Sequence, residues 1–134
     1  FINDAGGSIC ELNDTEAMSA LIKNTLILYI EDDDNIRDDL IQRARENPKP
    51  MYYTEEFLLE HLEYYANETG ERDQNINPNN FVRWVFPKLL DYRKNKYDLI
   101  AKKYGYRVKA SEIALVENES DFIGLVAKAI KSNE

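Results

Sequence analysis

Apolar and polar positions change period along this chain, and each change marks an element. Ala17, Met18, Ala20, Leu21 and Ile22 recur at spacings of three and four, which predicts an amphipathic helix capped by Asp14 or Thr15. Thr25 to Ile30 is a continuous run rich in apolar residues. So short a run with β-branched and aromatic members predicts a strand at Leu26–Ile30 buried on both faces, as in parallel sheets. Asp32, Asp33 and Asp34 end it and cap a helix from about Asn35 to Glu46, whose stripe is Ile36, Leu40, Ile41 and Ala44. Pro48 and Pro50 stop that helix. Thr54, with Glu56 and Phe57 behind it, starts another with a face of Phe57, Leu58, Leu62 and Tyr65.

The polar stretch from Asn67 to Asn80 reads as a surface loop. Pro78 or Asn79 then opens a helix through Phe81, Val82, Trp84, Val85, Leu89 and Leu90, with Pro87 expected to kink or split it. The helical repeat continues through Tyr97, Ile100, Ala101 and Tyr104 to Gly105, a candidate C′ residue. Tyr106 to Val108 is extended, and Ile113 to Val116 is a second buried-strand candidate that should pair in parallel with Leu26–Ile30. Ser120 is expected to cap a final helix through Phe122, Ile123, Leu125, Val126, Ala129 and Ile130, in which Gly124 permits close packing on the sheet. The order predicts a helix-rich α/β fold, a parallel sheet flanked by helices.

Composition narrows the function classes. The 134 residues suit one domain or a large part of one. A 43% hydrophobic and 11% aromatic content fits a globular chain rather than a disordered one. The net charge of -8 argues against a bulk electrostatic grip on nucleic acid or anionic lipid. No apolar run reaches the ~20 residues that span a bilayer, so no membrane partner is expected. Cys10 is the only cysteine, which excludes an internal disulfide and a cysteine metal cluster and favours a cytoplasmic setting.

Candidate chemistry is sparse. Gly6 and Gly7 in the AGGS loop could admit a ligand close to the backbone, or simply make a loop. Arg43 and Arg45, near Arg37 and Lys49, match phosphate bidentately, but two positions apart on a helix they point in different directions, so at most one of them faces a phosphate. They equally fit an exposed helix face partnered by Asp39 and Glu46. The acidic triplet at Asp32–Asp34 is better explained as a helix N-terminus than as a cation site. His61 lies in a strong helical pattern without a triad spacing, and is expected on a helix surface or partly buried. Trp84, Phe81, Phe86 and the stretch around Tyr64 and Tyr65 are expected to fill core.

FINDAGGSICEL, LILYIE followed by QRARENPKPMYY, FVRWVFPKLL, YDLIAKKYGYRV and ALVENESDF together resemble the carboxy-terminal portion of bacterial P-loop ATPases or small-molecule kinases. The resemblance covers most of the chain, and PKPMYY and FVRWVFPKLL are its most distinctive strings. It implies the back half of a kinase-like α/β fold that uses ATP and Mg. Under it Asp4, after a possible strand at Phe1–Asn3, is the acid that holds magnesium, although a turn before two glycines would also explain it. Arg43 and Arg45 become lid arginines acting on the transferred phosphoryl group, and Gly6, Gly7 and Lys49 become nucleotide contacts. The chain has no G-x-x-x-x-G-K-[ST] run, so the resemblance implies a segment of a larger domain with its amino-terminal half elsewhere. Alone it is expected to be inactive and to hold no cofactor. The alternative is a non-catalytic α/β module that binds a protein partner through its helical block at 54–104.

Overall fold

Two parallel strands, β1 (Ile27–Glu31) and β2 (Gly105–Lys109), pair in a register that runs from Ile27 opposite Gly105 to Glu31 opposite Lys109. The computed structural model describes residues 1–7, 9–12 and 15–133. Helix α1 (Thr15–Asn24) precedes β1. Between the strands lie α2 (Asp34–Glu46), α3 (Glu55–Thr69) and α4 (Pro78–Tyr104), and after them α5 (Ala110–Ile113) and α6 (Glu119–Lys131). The chain forms two compact units. Residues 1–38 and 93–134 make one, which carries the sheet, and residues 39–92 make a helical one.

The sheet is parallel as the apolar pattern demanded, but its second strand lies elsewhere in the chain. Ile113 closes α5, and Ala114 to Val116 continue as a turn, with Ala114 N–H bonded to Ala110 O and Val116 N–H to Ile113 O. A run of four apolar residues cannot by itself distinguish strand from helix end. Glu112 decides locally, because its carboxylate accepts the Lys109 N–H at 3.2 Å and so starts a helix where the run would have begun its strand. The extended segment around Tyr106 to Val108 is the true partner. Nor is β1 buried on both faces. Its residues are half-buried, and Ile30 is 49% exposed. A two-stranded sheet cannot enclose an apolar strand.

Gly105 is not a left-handed helix cap but the first residue of β2. A Cβ there would lie 2.8 Å from the Ile27 carbonyl oxygen, so glycine is needed for the close approach of the strands. Tyr29 of β1 stacks on Tyr97 of α4 with ring centroids 5.4 Å apart. Arg107 lies opposite Tyr29 in register, with its guanidinium 5.8 Å from the Tyr29 ring, and reaches Asp98 at 2.8 Å. Cys10, Ala101, Val108 and Ala129 are buried in this unit.

Helix ends follow their side chains. The Asp33 carboxylate accepts the Ile36 N–H at 3.0 Å, which bears out the N-terminal role of the acidic triplet. The Asp14 cap proposed for α1 lies outside the described residues. Thr54 caps α3 by accepting the Phe57 N–H, and Gly70 closes that helix at φ 78°. The supposed loop therefore begins only after Thr69. Pro78 is the first residue of α4, where its missing N–H costs nothing. Pro87 does not split α4. The flanking Val85 and Leu89 are 0% and 2% exposed, and packing of this kind outweighs one lost backbone bond. Asn118, not Ser120, caps α6, accepting the Asp121 N–H at 3.0 Å. Gly124 faces open space and makes no close packing contact.

The helical unit has an aromatic core of Phe57, Tyr65, Phe81, Val85 and Leu89, with Trp84, Leu62 and Tyr92 against it. Perpendicular rings recur there, as at Tyr65 and Phe81, 5.5 Å apart at 88°.

Candidate functional site

The glycine loop is held by side chains from α4. Phe1 to Asn3 form no strand and are exposed. Asp4 closes its own turn, accepting the Gly6 N–H on Oδ1 at 2.8 Å, and Gly6 takes the left-handed conformation at φ 62°. Gly7 is where the chain meets α4. A Cβ on it would stand 2.9 Å from Arg93 Nη1, and the Tyr97 hydroxyl donates to the Gly7 carbonyl. Cys10 Sγ lies 3.5 Å from the same oxygen.

The single turn of 3-10 helix at Ile9–Glu11 then directs Glu11 inward, leaving its side chain 3% exposed. A buried carboxylate must be paired. Lys96 Nζ reaches Glu11 Oε2 at 2.6 Å and Arg93 Nε reaches Oε1 at 3.4 Å. Burial pushes the Cys10 thiol up, which keeps it protonated and makes it a packed residue rather than a nucleophile. Burial likewise raises the Tyr97 hydroxyl, helped by Cys10. Burial, with Asp98 next in effect, pushes Tyr29 up to about 12.

The basic turn at the end of α2 belongs to the other unit. Arg43 and Arg45 occupy the last turn of α2 and are exposed, as is Lys49 beyond it. Cations are favoured at that negative end of the helix. Glu46, one expected partner of the arginines, is instead held by Gln42, whose Nε2 donates to it at 2.8 Å. The Arg45 carbonyl accepts from Arg83 Nε of α4 at 2.8 Å, and Asn80 accepts from Arg83 Nη1 at 3.0 Å. Asp4, Gly6 and Gly7 thus sit in the sheet-bearing unit, and Arg43, Arg45 and Lys49 in the helical one.

No family model, curated protein or solved structure matches this chain.

Most of the remaining candidates are absorbed by packing, but Tyr64, expected in the core beside Tyr65, is 52% exposed and donates to Glu60 at 3.1 Å. His61 is half-buried and stacks on Phe57 with centroids 3.8 Å apart, its Nδ1 donating to the Phe57 carbonyl at 2.8 Å. Trp84 and Phe81 lie in the aromatic core, and Trp84 donates to Glu68. Among the described residues no three His, Cys, Asp or Glu side chains cluster around a common point. A magnesium that carries phosphate oxygens and waters asks less of its protein, often one or two carboxylates. Asp4 is a single exposed carboxylate whose Oδ1 is already engaged by the Gly6 N–H.

The helical unit also has an open groove of about 700 Å³, lined chiefly by Met51, Tyr53, Leu58, Leu62, Phe81 and Val82. Periodicity alone missed Glu11, Arg93, Lys96 and Arg83. Each meets its partner across 38 or more positions of chain, and no local motif signals such contacts.

Proposed function

We propose that this chain is part of an NTP-binding P-loop ATPase or kinase-like protein that transfers the γ-phosphoryl group of ATP. The observation that carries the reading is the half-exposed apolar strand β1 paired in parallel with β2, with a helical unit intervening in the chain. Parallel sheets are normally covered on both faces, so a half-buried β1 with Ile30 exposed suits a sheet with further strands and helices. Mobile lids close over substrates and arginines offset charge on a transferred phosphoryl group, and α2 ends in exposed arginines.

In this reading the attacking oxygen, from water or a small acceptor, bonds to the γ-phosphorus as the bond to the β-phosphate oxygen breaks. ADP leaves and the attacking group gives up its proton. Arg43 or Arg45, with Lys49, would offset charge on the phosphates from the helical unit. The phosphate loop is assigned to sequence outside these 134 residues.

Calorimetric titration with Mg-ATP tests the reading. The full-length protein is expected to bind at micromolar concentration and to turn ATP over, and the isolated chain to do neither. Absence of binding by the full-length protein would overturn the proposal. The groove of the helical unit favours one other reading, an α/β module that binds a protein partner through residues 54–104. A full-length protein without ATP affinity would leave that reading standing.

A further inference from the structure

The last four carbonyls of a helix lack partners within it, and two of those of α2 are claimed from beyond the helix. Asn47 N–H bonds to Arg43 O at 2.9 Å. The Arg45 carbonyl takes the Arg83 guanidinium from α4, a charge-assisted bond at the negative end of the helix. Arg83 is itself steered by Asn80, and Asn80 N–H is fixed by the Asn77 side chain at 3.2 Å. The start of α4 and the end of α2 are therefore tied through one side chain.

That tie adds positive charge to the turn. It brings a third guanidinium to the backbone of a turn that already bears Arg43 and Arg45, beside the single carboxylate of Glu46, which the neutral Gln42 orients. A neutral donor would satisfy the Arg45 carbonyl without adding like charge. An anion bound beside the turn would offset that positive charge, and guanidinium groups match phosphate bidentately.

We propose that Arg83 is a positioning residue, which fixes the carboxyl-terminal turn of α2 so that one of its arginines, Arg43 or Arg45, is held ready for a phosphoryl group. The proposal rests on the phosphoryl-transfer reading above. Pro48 and Pro50 follow the turn and keep the helix from extending, and the Arg83 contact ties this end of α2 to α4.

The test uses the full-length protein with Arg43→Ala, Arg45→Ala, Arg83→Ala, Arg83→Lys and Asn80→Ala. It reads kcat and KM for Mg-ATP, the thermal midpoint, and amide exchange at residues 43–47. Arg83→Ala is expected to lower kcat about tenfold, as small displacements of catalytic groups do. KM should stay within about twofold, with faster exchange confined to 43–47. Arg83→Lys should recover part of kcat, since its ammonium can donate to the same carbonyl. Asn80→Ala loosens Arg83 without removing it, and should lower kcat by a smaller factor even if Arg83→Ala fails to fold.

If Arg43→Ala or Arg45→Ala loses turnover while Arg83→Ala and Asn80→Ala do not, the positioning role is wrong and the basic turn stands. If Arg43→Ala and Arg45→Ala both keep full turnover, the phosphoryl reading of the turn fails and takes this inference with it. A joint fall of kcat and midpoint in Asn80→Ala, without recovery in Arg83→Lys, would make Arg83 a folding residue and overturn the proposal.

Discussion

Glu11 and Lys96 stand 85 positions apart in the chain, yet the Glu11 carboxylate receives the Lys96 ammonium at 2.6 Å with its own side chain only 3% exposed. The pair joins the segment after the glycine loop to α4. Removing one partner of a buried pair leaves the other charge without compensation. Glu11→Ala is expected to destabilise the protein by about 3 kcal/mol, the low end for such a loss, because Lys96 is partly exposed. Glu11→Gln keeps an acceptor for Lys96 and should cost less. Denaturant unfolding measures both, and a loss under about 0.5 kcal/mol for Glu11→Ala would show that the clamp holds nothing.

Alkaline pH should weaken the sheet-bearing unit through Tyr29. Burial raises its hydroxyl from 10.0 to about 12, with further upward pushes from Asp98, Asp32 and Glu31. The folded state therefore holds that proton more tightly than the unfolded one. Its contribution to stability is complete below pH 10 and is lost between pH 10 and about 12. Tyr29→Phe has no proton to lose, so its stability should fall less steeply across that window. Unfolding curves at several pH values, read beside tyrosinate absorbance, decide the point.

Two glycines should respond in opposite ways to alanine. Gly124 lies inside α6 with open space where a Cβ would go, so Gly124→Ala should stabilise by about 0.5–1 kcal/mol. At Gly105 the new methyl would meet the Ile27 backbone oxygen, a rigid neighbour at 2.8 Å. Gly105→Ala should therefore destabilise by roughly 1–3 kcal/mol. Thermal midpoints of the two variants should move in opposite directions.

The capping assignment of α6 is open to the same measurement. Asn118→Ala should cost about 1 kcal/mol. Ser120 is exposed inside the first turn, and its replacement by alanine should change stability by less than about 0.5 kcal/mol. A larger loss at Ser120 than at Asn118 would restore the sequence-based assignment.

The legible parts of the fold were those in which neighbours in sequence decide the outcome. The α2 stripe, the Thr54 cap and the apolar strand β1 are readable because periodicity and side-chain capping act over a few residues. Tyr106–Val108 reads as extended, as β2 is, but not as the partner of β1, because GYRVK alternates weakly and its one strong local feature, Gly105, serves backbone approach rather than helix termination. Ile113–Val116 misled for the opposite reason, since its apolar side chains outweigh a start signal carried by one Glu112 hydrogen bond. Of the candidate sites, glycine and arginine content could be read directly. The groups that orient them, Arg93 at Gly7 and Arg83 at Arg45, are fixed only when distant segments pack.

Trp84 is the sole tryptophan of the chain, and its indole lies among Tyr65, Phe81 and His61 with the Lys88 ammonium 3.9 Å from the ring. All of these residues belong to the helical unit. Indole emission excited at the red edge, where tyrosine does not absorb, therefore reports on residues 39–92 alone, whereas far-ultraviolet dichroism sums both units. Overlaying the two melts would reveal whether the chain unfolds as one cooperative block or as two, without a label or a mutation.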